Sequence, residues 1–410
     1  MEKKGPLIIA SLGLWLLVSP ITFGSVSSVI SNNDMVCGLL LILIGFCAIQ
    51  ASKKWLLKLA ALIGLWLQLA PLVFWAPEAG SYLNETLVGM VLMILILSLK
   101  GLSDEEKGGE TPPGWSFNPS SFGPRGVTVF LALIAWFLAR YLASYQLGYI
   151  HEIRDPFFGD GTIKVISSSV AKLFPVSDAG LGAFGYSLEF LLGLIGSTRR
   201  WKTMPWVSIF FGLMVIPAGM ISILLIVLQP LLVGAWCGIC LLIAVCMLVM
   251  VLLTIPEMAA TVQLLLKSKK NHCFWLVFWH GSSGFAELPL EPIQRTCTSE
   301  LGFTVPWNLL LTALLGVWLM CAPSIFGDLH SASDSNYVAG PLLVAISVIS
   351  FSEIVRRLRF VNLAIAIGLI CASFLLPGYT TYGFINTLVV GVFISLLSIP
   401  KGKMHERCGK

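Results

Sequence analysis

Residues 234–256 read GAWCGICLLIAVCMLVMVLLTIP: a tryptophan, two cysteines, then apolar residues without a charge until Glu257. A helix crossing about 30 Å of hydrocarbon needs about 17–25 such residues. Water is absent there, so the backbone must satisfy its own hydrogen bonds. The run is also continuous rather than alternating, which makes it a helix and not a barrel strand. Working outward, similar runs recur along the whole chain. Twelve are expected, at about 7–24, 34–51, 56–75, 84–99, 126–148, 179–196, 204–226, 234–256, 305–325, 337–354, 359–377 and 382–399.

Composition agrees. Of 410 residues, 57% are hydrophobic and 11% charged, with a mean hydropathy of +0.88. A soluble domain carries about 25% charged residues. Most of the surface therefore faces lipid, and the expected fold is an all-α polytopic membrane protein of about twelve transmembrane helices. The net charge of +5 lies between the helices and reports orientation, so no nucleic-acid partner is expected. Lys3/Lys4, Lys53/Lys54/Lys58, Lys100, Arg199/Arg200/Lys202, Arg356/Arg357/Arg359 and Lys401/Lys403 all fall on one side. The positive-inside rule makes that side cytoplasmic and puts both termini there, in a bacterial inner membrane. The first span follows Lys4 without a small-residue cleavage site and is read as retained.

The outer helices repeat. Gly13-Leu-Trp-Leu-Leu-Val-Ser-Pro20 recurs as Gly64-Leu-Trp-Leu-Gln-Leu-Ala-Pro71 and as Gly316-Val-Trp-Leu-Met-Cys-Ala-Pro323, and weakly as Gly368 to Pro377. Asn33/Gly38, Asn84/Gly89, Asn336/Gly340 and Asn386/Gly391 follow them in turn. Each unit reads as a helical hairpin, with Asn capping the return helix and Gly permitting close approach. These motifs resemble the SPW-repeat family, which implies membrane anchoring. The organisation expected is a repeat domain at 1–100, a linker at 101–124, a central domain at 125–257, a second linker at 258–304, a second repeat domain at 305–400 and a tail at 401–410. The linkers and tail are placed on the cytoplasmic side. The outer helices are expected to shield the central four or to bind a neighbour.

Cys37, Cys47, Cys246, Cys321 and Cys371 sit singly in apolar helices, where cysteine behaves as a small hydrophobe. Cys273, Cys297 and Cys408 fall in cytoplasmic segments, where thiols stay reduced. Cys237 and Cys240 alone form a motif. Their spacing brings the sulfurs within disulfide reach, near a helix N-terminus that stabilises a thiolate. Zinc would need a second ligand pair on the same side; His151 and His330 lie in separate loops, and no metal is expected.

Residues 123–257 resemble the four-helix vitamin K epoxide reductase family, through the pair at the outer end of the fourth central helix, the long outer loop His151–Ser177, and the stretch SSSVAKLFPVSDAGLGAFGY (167–186). The resemblance implies a membrane thiol:quinone oxidoreductase working with ubiquinone or menaquinone. Cys240 would be the sulfur meeting the quinone, and Cys237 the one exchanging disulfides with an extracytoplasmic thiol protein. Asp178, Phe184, Trp236 and Ala244 would line the quinone mouth. The sequence departs from the family in three ways. The loop has no shuttle cysteines, Asp178 stands where the family has Asn, and Ala244 stands where it has Tyr. A non-catalytic scaffold or transport-like protein with a degenerate reductase core is the alternative. Ser177-Asp178 also reads as a helix cap. Phe157 and Phe158 are expected to lie over the redox site.

Charges inside apolar helices are rare and usually paired. Arg140 and Glu189 lie at similar depths in adjacent central helices, and an ion pair between them is expected.

Overall fold

The computed structural model describes residues 4–24, 27–51, 54–99, 111–172, 175–270, 273–282, 303–329 and 331–402. Cys297, Cys408, His330, Lys3, Lys53, Lys100, Lys403, most of the tail and much of both expected linkers lie outside them. Among the described residues there is no strand, and an isolated antiparallel bridge joins Phe303 and Ser352.

The helices are α1 (Lys4–Phe23), α2 (Ser28–Ala51), α3 (Lys54–Val73), α4 (Ala79–Leu99), α5 (Phe122–Gln146), α6 (Gly161–Ile166), α7 (Asp178–Leu194), α8 (Arg200–Thr203), α9 (Pro205–Leu228), α10 (Gly238–Lys270), α11 (Phe274–His280), α12 (Trp307–Phe326), α13 (Ser331–Ile349), α14 (Arg359–Leu375) and α15 (Thr381–Ser398). Ten described helices are long and apolar enough to span a membrane. The other two expected positions hold α3, with a shorter apolar stretch at Leu59–Val73, and the 17-residue α7. The protein is an all-α multi-pass membrane protein.

The chain forms two compact units. The first holds Met1–Glu105, Ala132–Asp155 and Ile163–Ile195; the second holds Glu106–Leu131, Pro156–Thr162 and Gly196–Lys410.

In the first unit, α1 pairs with α2 and α3 with α4. Glycine makes this possible. A Cβ on Gly13 would stand 2.6 Å from the Gly38 carbonyl oxygen, and one on Gly89 2.5 Å from that of Gly64. Backbones this close exclude any side chain. Asn33 and Asn84 do not cap their helices as expected: each is the sixth residue of a helix that starts earlier, at Ser28 or Ala79. Their amides instead bond across the two hairpins. Trp66 Nε1 donates to Asn33 Oδ1 (2.8 Å), and Trp15 Nε1 to Asn84 Oδ1 (2.7 Å). Tryptophan is a donor only, so each bond also fixes which way the amide faces. Helices α3 and α4 also pack on α7, where Gly180 admits the side chain of Leu72.

In the second unit, α12 pairs with α13 through Gly316 and Gly340, with each Cβ position 2.8 Å from the other's carbonyl oxygen. The fourth hairpin corrects the sequence alignment. Gly391 faces the carbonyl of Ala366 and the side chain of Ile370, whereas nothing lies within 4 Å of a Cβ on Gly368. Ala366 is thus the small residue of this copy, and it stands twenty residues before Asn386, as Gly13, Gly64 and Gly316 stand before their own asparagines. Gly368 then occupies the tryptophan position. Only one crossed bond remains in this group, Trp318 Nε1 to Asn386 Oδ1 (2.9 Å). Asn336, with no tryptophan to meet, donates to Thr387 Oγ1 (3.2 Å).

α10 runs 33 residues to Lys270, well past the expected end at 256. One side of its extension is covered by protein, while Val262 and Leu266 on the other are exposed. Trp115 and Phe117 pack on Ala260, and Trp115 Nε1 donates to Gln263 Oε1 (2.9 Å). Residues read as belonging to the two linkers therefore pack on one another.

Candidate functional site: the Cys237–Cys240 disulfide

The chain approaches the cysteines through an irregular turn. α9 ends in a π-helical turn over Gln229–Val233, closed by Gly234 at φ 68°, a conformation glycine adopts without strain. Cys237 precedes α10 rather than lying inside it. Its carbonyl accepts from Leu241 N (3.0 Å), and its sulfur accepts from Cys240 N (3.1 Å), so it stands at the cap position. The Cys237 backbone N–H donates to Gln229 Oε1 (2.9 Å). The side chain that ends one helix thereby anchors the start of the next.

Cys237 and Cys240 form a disulfide, with Cα atoms 5.2 Å apart. Cys237 is fully buried and Cys240 half-buried. Cys240 is the more exposed residue of the pair. In the disulfide state Cys237, expected to meet the partner thiol, has no surface to offer it. Ala244, buried, lies one turn beyond Cys240 on the same face of α10.

Trp236 is held from two sides within its own unit. A Cβ at Gly161 would collide with the Trp236 carbonyl, so glycine lets the outer loop seat against this residue. Its ring meets the edge of Tyr337 on α13 at 5.8 Å and 81°. Tyr337 lies in the repeat sequence, where nothing pointed to the cysteines. Phe157 and Phe158 are 70% and 43% exposed.

Asp178 and Phe184 lie in the first unit, and Phe184 is half-buried. The cap reading of Ser177 holds: its Oγ accepts from Gly180 N at 3.0 Å. Asp178 Oδ1 accepts from Ala179 N (2.7 Å) and from Gln146 Nε2. Gln146 is the hub that sequence reasoning missed. Its Nε2 also donates to the Ile166 carbonyl, and its Oε1 accepts from Ser177 Oγ (2.6 Å). One amide thus joins the end of α5, the outer loop and the start of α7. Nearby, the Tyr149 hydroxyl donates to the Ala76 carbonyl (2.5 Å), and burial pushes it above the usual phenol range.

The expected Arg140–Glu189 ion pair is not formed. The Arg140 guanidinium lies over Trp136 (4.5 Å) and over Tyr82 of α4 (5.2 Å). Aromatic faces attract a desolvated guanidinium, and the one from α4 belongs to the repeat, where no helix count would have sought it. Glu189 is 2% exposed, with Oε2 lacking a partner. The buried ion pair is elsewhere, in the second unit. Arg200 and Glu257 meet through two bonds, Nε to Oε1 and NH2 to Oε2 (2.5 Å), and Ser120 and Ser208 donate to the same carboxylate. In the sequence Arg200 reads only as one of the basic residues of a cytoplasmic turn.

The fold and the pair define the class: a multi-pass membrane protein with a disulfide at the mouth of a spanning helix. Residues 127–255 match the vitamin K epoxide reductase family, and residues 6–98 and 306–400 match the SPW repeat domain. At family level the middle segment is thus of the membrane thiol- and quinone-linked oxidoreductase type. No curated protein matches the chain, and no solved structure does.

Proposed function

We propose that the protein is a membrane thiol:quinone oxidoreductase of the bacterial inner membrane, with both termini cytoplasmic and Cys237 and Cys240 cycling between dithiol and disulfide. The observation that carries this is a disulfide at the start of α10, within the segment that matches the reductase family. A ubiquinone or menaquinone, when bound, takes up two electrons and two protons from the dithiol. Cys240 fits the role of the sulfur facing it: half-buried, on an apolar helix face that continues through Ala244. Trp236, next to the pair in its own unit, supplies aromatic surface. Asp178 fits less well as a hydrogen-bond donor, because its Oδ1 already accepts from Gln146 and Ala179. Its role here is to start α7.

Return to the dithiol takes two electrons and two protons from an extracytoplasmic dithiol protein, by thiol–disulfide exchange at the pair. The outer loop contains no cysteine, so the exchange is direct. Because Cys237 is sealed in the disulfide, the first attack falls on Cys240, and Cys237 becomes the leaving thiolate. A helix N-terminus stabilises that charge. The missing loop cysteines also favour a second reading, a scaffold whose pair no longer turns over.

The test uses full-length protein in lipid nanodiscs, reduced with dithiothreitol, freed of it and mixed with a short-chain quinone. Loss of both accessible thiols, matched by quinol formation and abolished by Cys240→Ser, is expected. A pair that stays reduced under excess quinone sinks the oxidoreductase reading and leaves the scaffold.

A further inference from the structure

A second polar centre lies in the first unit, in the N-terminal repeats. Asp34 follows Asn33 on α2, and Glu85 follows Asn84 on α4. Asp34 is 2% exposed and Glu85 fully buried, and their carboxyl groups lie within hydrogen-bonding reach of each other. Each is the seventh residue of its helix, roughly 9 Å in from the helix start at 1.5 Å per residue. Carboxylates inside a membrane helix are expensive, and two in contact cannot both ionise without a compensating charge.

The surrounding polar groups show what compensates them. Ser19 Oγ donates to Asp34 Oδ2 (3.1 Å), and Asn33 Nδ2 donates to Glu85 Oε1 (2.8 Å). The pseudo-symmetric mate of the second bond would run from Asn84 Nδ2 to Asp34 Oδ1. It is not made, and both of those atoms are buried without a partner, as is Glu85 Oε2. Trp15 fixes Asn84 with its oxygen turned to the indole and its NH2 group free for the acids. Amide hydrogens turned toward the acids repel a metal cation, which favours neutralisation by a proton. The groups that face the acids are donors, suited to one negative charge. The two remaining carboxylate oxygens, Asp34 Oδ1 and Glu85 Oε2, are buried and receive no hydrogen bond.

We propose that Asp34 and Glu85 form a proton-binding site, an acid–carboxylate pair that holds one proton between its two carboxyl groups. Binding changes the pair's charge from −2 to −1, and the amide and hydroxyl donors stabilise what remains. Titratable neighbours are Cys37 on α2 and Tyr149 after α5, the latter next to Tyr82 and Glu78, with Arg140 over Tyr82. α1 and α3 face the centre with Ser19, Trp15 and Trp66, which do not titrate. The C-terminal repeats place Tyr337 and Thr387 at the same positions, so the site belongs to the N-terminal group alone. It is independent of the redox pair.

Infrared difference spectroscopy of the full-length protein in nanodiscs tests this, in an Asp178→Asn, Glu189→Gln background that removes two other buried acids. One protonated-carboxyl stretch is expected at neutral pH. Labelling with 13C-aspartate and with 13C-glutamate should each shift it, and Asp34→Asn and Glu85→Gln should each abolish it. The labelling arm needs no variant at these two positions and stands if those proteins do not fold. Absence of the stretch, indifference to either label, or its loss on adding sodium but not choline overturns the proposal; the last outcome would mark a cation site.

Discussion

The two repeat groups flank the reductase-like segment with the same helical hairpins, yet they make different use of the same positions. In the N-terminal group two tryptophans reach across to two asparagines, and the residues after those asparagines are buried acids facing each other. In the C-terminal group one of the two crossed bonds is missing. The acid positions hold Tyr337, whose ring meets Trp236 beside the disulfide, and Thr387, which bonds Asn336. The lesson is that the hairpin geometry rests on small residues and one Trp–Asn bond. The position after the asparagine is free to be a polar centre in one group and an aromatic support in the other.

An ion pair outside both groups sets the upper scale. Arg200→Met strands Glu257 without its cation in a protein interior, and should cost about 3–5 kcal/mol, read as thermal unfolding in detergent. A double-mutant cycle with Glu257→Gln should show strong coupling, while the same cycle on Arg140 and Glu189 should be additive.

Next come the helix crossings. Gly316→Val forces a side chain into the Gly340 backbone and should destabilise by about 1–3 kcal/mol. Gly368→Val, with open space at its Cβ, should not; equal losses would restore Gly368 as the crossing residue. Third, Trp66→Phe removes one crossed bond, for about 0.5–1.5 kcal/mol, and a cycle with Asn33→Ala should recover most of that loss as coupling. Trp318→Phe should cost a similar amount, and a far larger loss would mean that the C-terminal group depends more on its one bond. The smallest effect is a gain. Gly368→Trp places a donor where the other copies have one and also removes a helix glycine, which is worth about 0.5 kcal/mol or more. Increased thermal stability that disappears in Asn336→Ala would show that the missing bond had been rebuilt.

Legibility followed the range of each interaction. The spans could be read because membrane helices depend on local apolarity, so each run of sequence declares itself. The cysteine pair could be read because three residues along one chain bring two sulfurs together whatever packs around them. The Ser177 cap is equally local. Arg140 failed the same approach: its ring partners are Trp136, one turn away on α5, and Tyr82 on α4, and position along one helix cannot choose between partners. Asp34 and Glu85 lie 51 residues apart and passed unremarked, since each alone resembles the polar start of a helix. The fourth repeat was placed two residues off because Gly368 matched the motif letter, whereas helix contact selected Ala366.

By itself, the sequence determined that this protein is a bundle of membrane helices, that hairpins repeat on both sides of a central segment, and that a single Cys-x-x-Cys motif stands at the mouth of a spanning helix. All of these follow from hydrophobicity and spacing along one chain. Only the tertiary structure decided which cysteine of the pair is the more exposed, which arginine has a carboxylate, and which two acids share a centre. Such choices depend on side chains from different helices arriving at one place, and in lipid, where apolar faces fit many neighbours, glycine contacts and crossed polar bonds select among them.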